Sequence, residues 1–265
     1  MKSTRAIESP RALLVVKKNV AGWAVRSLHT IAVASIIGSA HDVRAQDEFE
    51  IQVYDAETAK PHEVGLEVHV NEHLLPGMPD QTHVTLEPHY GLFDWLELGG
   101  YLQASIDDAG NFAYAGAKLR AKLRRPRRVW NDRIGLAVNF ELSDVPAQFE
   151  PNQYGSEIRP IIDLRAGRWY AAINPILSTD LAGELRGRPQ LEPAAKLSIA
   201  AMPAVMVGVE LYGAYGPIDD LGRENVNRAF AVVDIAGTRW DLDAGIGANA
   251  GIPDHPIVKV IFGIH

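Results

Sequence analysis

The sequence predicts a transmembrane antiparallel up-and-down β-barrel of about twelve strands, on three observations. From about residue 62 onward apolar and polar residues alternate, with Val64, Leu66, Val68 and Val70 set against Glu63, Glu67, His69 and Asn71. Side chains of a strand point by turns to its two faces, so such a run is apolar on one side and charged on the other. The connectors alternate as well, tight turns with longer polar links, as in barrels whose turns are short at one membrane surface and long at the other. Third, four of the five tryptophans stand directly after a short-side connector. Alternation alone would also suit a half-exposed soluble sheet. An export signal, together with the connector alternation and the tryptophan placement, decides against that.

Residues 1–30 carry Lys2, Arg5, Arg11, Lys17, Lys18 and Arg26, and residues 31–40 (IAVASIIGSA) form an apolar stretch. Val43 and Ala45 then suit the −3 and −1 positions of a signal-peptidase site ahead of the acidic run QDEFE. Residues 1–45 are therefore expected to be a signal peptide. The charged leader is long, and a start near Val25 would give a more ordinary signal, leaving residues 1–24 upstream of the translated protein. Ten apolar residues are too few to span a bilayer as a helix.

Residues 46–61 follow as an acidic segment whose core, EFEIQVYD, alternates like a strand. As a thirteenth crossing it would put the mature N-terminus outside the cell. The expectation is that it enters the barrel as a plug, drawn by Lys118, Arg120, Lys122, Arg159 and Arg165, because charge attraction is strong in a confined, poorly screened space.

Residues 62–265 are expected to form the barrel, with strands at 62–74, 82–92, 95–106, 111–123, 133–144, 156–166, 169–179, 190–201, 204–215, 226–236, 239–249 and 256–265. Each has about the ten residues that a tilted strand needs to cross, and an even number keeps both ends on one side. Phe93-Asp94, Ala166-Gly167-Arg168, Met202-Pro203 and Gly237-Thr238 are the tight connectors. Between them fall LPGMPDQ, IDDAGN, SDVPAQFEPNQYGS, STDLAGELRGRP, GPIDDLGRENVN and ANAGIPDHP. The basic run 124–132 is the one long link on the short side. Pro88, Pro160, Pro175 and Pro193 fall in mid-strand, where a missing N–H breaks the ladder, and are expected to mark bulges or kinks.

Trp95, Trp130, Trp169 and Trp240 are expected to form one interfacial belt, where an indole keeps its ring in lipid and its N–H wet. By parity the lumen is lined by Glu67, His69, Glu87, His89, Glu97, Lys118, Arg120, Lys122, Glu141, Arg159, Asp163, Arg165, Glu192, Lys196, Glu210, Asp241, Asp243 and Lys259. Both signs interleave, so these charges must pair. Twelve strands lie between the filled eight-stranded barrel and the open sixteen-stranded one. A narrow, charge-braced lumen is the expectation.

Composition agrees: 47% hydrophobic residues and mean hydropathy −0.06 are as bland as a barrel should be. The absence of cysteine fits an exported chain that needs no disulfide. A net charge of −7 argues against a nucleic-acid partner. Five of the nine histidines lie within 62–89, but they spread along two strands without tight ligand spacing. A register pairing His73 with His83 would set His69 against Glu87 and Glu67 against His89, a structural ladder. No metal, cofactor or catalytic residue is assigned, and no G-x-S-x-G occurs.

VGLEVHVN, THVTLEPHYGLFDWLELGGYLQ, YAGAKLR, EIRPIID and LEPAAKL, with EFEIQVYDAE before them, resemble the proteobacterial outer-membrane proteins grouped as MetA-pathway phenol-degradation proteins. The resemblance covers most of the mature chain and implies a transporter-like barrel linked to aromatic or hydrophobic compounds, with no site residues to carry over. Such barrels end in an aromatic residue, whereas this chain ends IFGIH. The expected protein is a channel or transporter for small solutes in the outer membrane of a Gram-negative bacterium. Its partners would be membrane lipid, the barrel-assembly machinery and the solute. A lipid-modifying hydrolase and a purely structural or binding barrel are the alternatives.

Overall fold

The computed structural model describes residues 48–74, 81–150, 152–250 and 252–265. The expected signal peptide, its expected cleavage site and most of LPGMPDQ lie outside the described residues.

Fourteen strands form one antiparallel sheet: β1 (Val64–His73), β2 (Gln81–Phe93), β3 (Leu96–Asp107), β4 (Phe112–Arg124), β5 (Ile134–Asp144), β6 (Tyr154–Ala166), β7 (Trp169–Asn174), β8 (Leu177–Asp180), β9 (Gln190–Leu191), β10 (Ala194–Met202), β11 (Val205–Ala214), β12 (Val226–Ala236), β13 (Trp240–Asn249) and β14 (Ile252–Ile264). Both β7 and β8 pair with β6, and β9 and β10 continue one another on their far side. They are two staves, each interrupted once, so the sheet has twelve staves. Pairing of β1 with β14, from Leu66↔Ile264 to His73↔Ile257, closes it into a barrel without a free edge. Among the described residues no helix is long and apolar enough to cross a membrane. Strands can do so only as a closed barrel, where every ladder bond is internal.

The outside is apolar. Leu102 is 55% exposed, Leu119 71% and Ile246 56%, on three different staves. Exposed apolar surface that continues around a molecule marks an interaction surface, here one that suits lipid.

The interruptions have a local cause. Ile162↔Ile173 and Ile158↔Leu177 keep one register across the break, which places Pro160 of β6 opposite Pro175. The register Ala194↔Asn174 and Leu177↔Leu191 likewise sets Pro175 opposite Pro193. Three prolines thus stand in one row across neighbouring staves. None can donate to a ladder, and the lost bonds gather at one height. Glu192 N–H, next to the gap, donates instead to the Ile176 carbonyl at 3.0 Å.

Three expectations need correction. The β1–β2 register is two residues from the expected one: His73 pairs with Gln81, Asn71 with His83 and Glu67 with Glu87. A two-residue slip leaves every side chain on its own face, so alternation cannot tell the two registers apart. The expected long link ANAGIPDHP is largely strand, since β14 begins at Ile252 and pairs with Asn249. The stretches 169–179 and 190–201 are each broken at proline instead of continuous.

Candidate functional site

Residues 48–60 run along the inner walls without joining the sheet, from a turn at 48–49 onward. Glu48 lies beside His73, at the end of β1 where the long β1–β2 link begins. At the other end, Ala59 N–H donates to Glu97 at 2.6 Å and His62 N–H to the Gly91 carbonyl at 2.7 Å. The segment lies so close to the wall that a Cβ on Gly135 would come within 2.8 Å of the Ala56 Cβ. One on Gly91 would meet the Lys60 carbonyl at 2.0 Å. Both positions require glycine.

Alternation along the segment matches two different walls. Ile51 and Val53 pack in one cluster with Ala172, Ile176, Ala194, Tyr212, Phe230, Val232 and Ile257, from β7 round to β14. Glu50 and Tyr54 turn the other way. Glu50 meets Arg159 at 3.0 Å and Lys118 at 3.4 Å. Tyr54 OH donates to Glu50 at 2.9 Å and shares a 2.5 Å hydrogen bond with Tyr101 OH. The Arg159 guanidinium lies 4.3 Å from the Tyr54 ring centroid and the Lys122 ammonium 5.2 Å, a geometry in which cation and ring attract. Backbone groups are held as well: Asn174 accepts from Tyr54 N–H at 2.7 Å and donates to its carbonyl at 3.0 Å. Asp163 accepts from Ala56 N–H at 2.7 Å, and Lys259 donates to the Ile51 carbonyl at 3.2 Å.

The expected lining residues fall into linked groups. Arg120 bridges Glu87 and Glu97, both at 2.7 Å, and Glu87 meets His69 at 3.1 Å, which in turn approaches Glu67 at 3.6 Å. Lys118 also meets Glu141 at 3.5 Å. Lys196 contacts Glu210 at 3.0 Å and Asp243 at 2.8 Å, while Lys259 contacts Asp243 at 3.0 Å and Glu210 at 2.5 Å. Lys122 and Arg165 reach Asp55 of the segment at 3.5 and 3.6 Å. Three residues join neither these groups nor, as Asp163 does through Ala56 N–H, the segment. His89 lies over Gly65, Asp241 faces His265 at 3.5 Å, and Glu192 flanks the proline break. Trp95, Trp130, Trp169 and Trp240 are all exposed, and each stands at or just before the start of β3, β5, β7 or β13. Those four staves run in the same direction.

Other contributors are absent from the expected set. Arg128 comes from the β4–β5 link, whose Trp130, Asn131 and Asp132 all take left-handed backbone conformations. It ties Asp163 of the wall to Glu57 of the segment. Asp234 and Arg228 face inward from β12, where Phe230 and Val232 occupy the same parity and hide the polar alternation. Tyr101 and Tyr212 share parity with Glu97 and Glu210, a signal that could have found them.

No family model matches the chain, and no curated protein matches it. Solved structures do. A KdgM porin in complex with disordered oligogalacturonate is 9% identical, with a TM-score of 0.51 over 75% of this chain and 98% of that one. A KdgM porin structure is 8% identical, with a TM-score of 0.50 over the same shares. Outer membrane phospholipase A from Escherichia coli is 11% identical, with a TM-score of 0.42 over 77% of this chain and 93% of its own. At these identities the likeness is one of fold: a closed twelve-stranded antiparallel barrel of the outer-membrane kind.

Proposed function

We propose that the protein is an outer-membrane channel of a Gram-negative bacterium for small anionic solutes with an aromatic or apolar part, and that residues 48–60 are its plug. The observation that carries this reading is the seat of Glu50 and Tyr54. A carboxylate and a phenol ring, 2.9 Å apart at their oxygens, occupy a wall of Arg159, Lys118 and Lys122. Ile51 and Val53 fill an apolar hollow opposite. With the segment withdrawn, an anion would find the partners that Glu50 had, and an apolar group would find those of Ile51. The resemblance to phenol-degradation barrels supports the aromatic part of the reading.

In this account residues 1–45 are removed on export, the assembly machinery inserts residues 62–265, and lipid covers the outer wall. Trp95, Trp130, Trp169 and Trp240 then anchor the periplasmic interface. In this reading the chain binds and conducts.

The test is single-channel recording in planar bilayers. Deleting residues 48–58 should raise conductance and shift the reversal potential in a KCl gradient toward chloride. Benzoate should block the deletion variant at lower concentration than acetate does. Unchanged conductance would refute the plug.

A further inference from the structure

At the long-link end, three side chains converge where the segment meets the wall: Glu48 of the segment, His73 of β1 and His83 of β2. One donor atom from each lies within 4.8 Å of the other two. We propose that these residues form a binding site for a divalent transition-metal ion of the zinc type, which fastens the segment to the barrel wall.

Four observations support it. Two imidazoles and a carboxylate are the donor set that zinc accepts, with the fourth position left to water. Glu48 Oε2 and His73 Nε2 face each other at 2.9 Å as an ion pair, which brings two donor atoms to one point where a metal ion would replace the shared proton. Their surroundings fix them. Arg228 holds the other Glu48 oxygen at 2.9 Å and is itself held by Asn249 at 2.8 Å, while the His83 ring stacks on Phe49 with centroids 4.4 Å apart. Such outer contacts orient metal ligands. Finally, Glu48 and His73 keep 21% and 14% of their side-chain surface exposed, which places the site at the edge of the enclosed interior, its Oε2 and Nε2 donors covered.

The other acid–histidine group, Glu67, His69 and Glu87, differs in access. Each cluster has a carboxylate paired with an arginine, Glu87 with Arg120 and Glu48 with Arg228, but His69 and Glu87 are fully enclosed.

That the metal holds the plug rests on the channel reading above; that the metal binds does not. Binding is therefore measured at equilibrium, on the full chain in detergent, by competition for Zn2+ with a chromophoric chelator. The expected result is one ion per barrel. His73→Ala, His83→Ala and Glu48→Gln should each weaken binding by about tenfold or more, while His62→Ala, at the opposite end, should not change it. Heat-modifiable gel migration verifies that each variant is still a barrel. Absence of stoichiometric binding, or affinity unchanged in any of the three ligand variants, would overturn the site. If binding behaves as expected and deletion of 48–58 leaves conductance unchanged, the metal site stands and the plug falls.

Discussion

Across β3–β6 the inner wall meets the segment with charge: Arg159 and Lys118 on Glu50, and Lys122 on Asp55. Across β7–β14 it meets the same segment mostly with apolar surface around Ile51 and Val53, its polar contacts there being Arg228 on Glu48 and Lys259 on the Ile51 carbonyl. Lys196 and Lys259 are satisfied by Glu210 and Asp243 without any help from the segment's carboxylates. The two halves therefore depend on the segment to different degrees. The basic half has charges that need it; the apolar half has surface that prefers it. Buried charges are costly when left without partners, whereas exposed apolar surface costs only in proportion to its area. The basic half should therefore be the more sensitive to loss of a partner, and the apolar half the more tolerant.

Arg159→Ala gives the largest expected effect. It leaves the buried Glu50 and the half-buried Glu157 with one partner fewer, and breaking a buried pair from one side costs about 3–5 kcal/mol. Urea unfolding of the barrel in lipid vesicles, followed by tryptophan fluorescence, would measure it. A loss below 1 kcal/mol on that scale would mean the basic half is not held by pairing.

On the outer surface the halves should not differ. Leu136 of β5 and Val207 of β11 both face outward. Leu136→Arg and Val207→Arg should each cost about 2–4 kcal/mol if they lie near the midplane of the bilayer. Unequal penalties in the same unfolding assay would place the contrast in the membrane contacts instead of the lumen.

The smallest effect belongs to Ile51→Val. Removing one methylene from the apolar cluster should cost about 0.5–1.5 kcal/mol. Protease cleavage of the segment in the folded barrel should accelerate only modestly. A collapse as large as that of Arg159→Ala would break the comparison.

Much of this was legible in the sequence, and the reasons are uneven. Alternation fixes which face a residue takes, so Lys118, Arg120 and Lys122 could be set inward together, and the stave number followed from counting runs. Alternation is blind to register, which is why His69 reaches Glu87 diagonally and not from the opposite position. It also fails where an inner wall is apolar, as at Phe230 and Val232, because both faces of β12 then look alike. Arg128 was hidden for another reason: it reaches inward from a link, where no periodicity applies. The convergence of Glu48 with His73 and His83 depends on the path of the segment, which strand spacing cannot register.

The central claim is that residues 48–60 occupy the lumen, and the absence of native cysteine makes it directly measurable. Ile51 has no exposed surface. In an Ile51→Cys variant refolded into vesicles, a membrane-impermeant maleimide should fail to label the thiol until the barrel is unfolded. A control cysteine at exposed Leu221 should react at once. Labelling at position 51 as fast as at 221 in the folded protein would contradict the account.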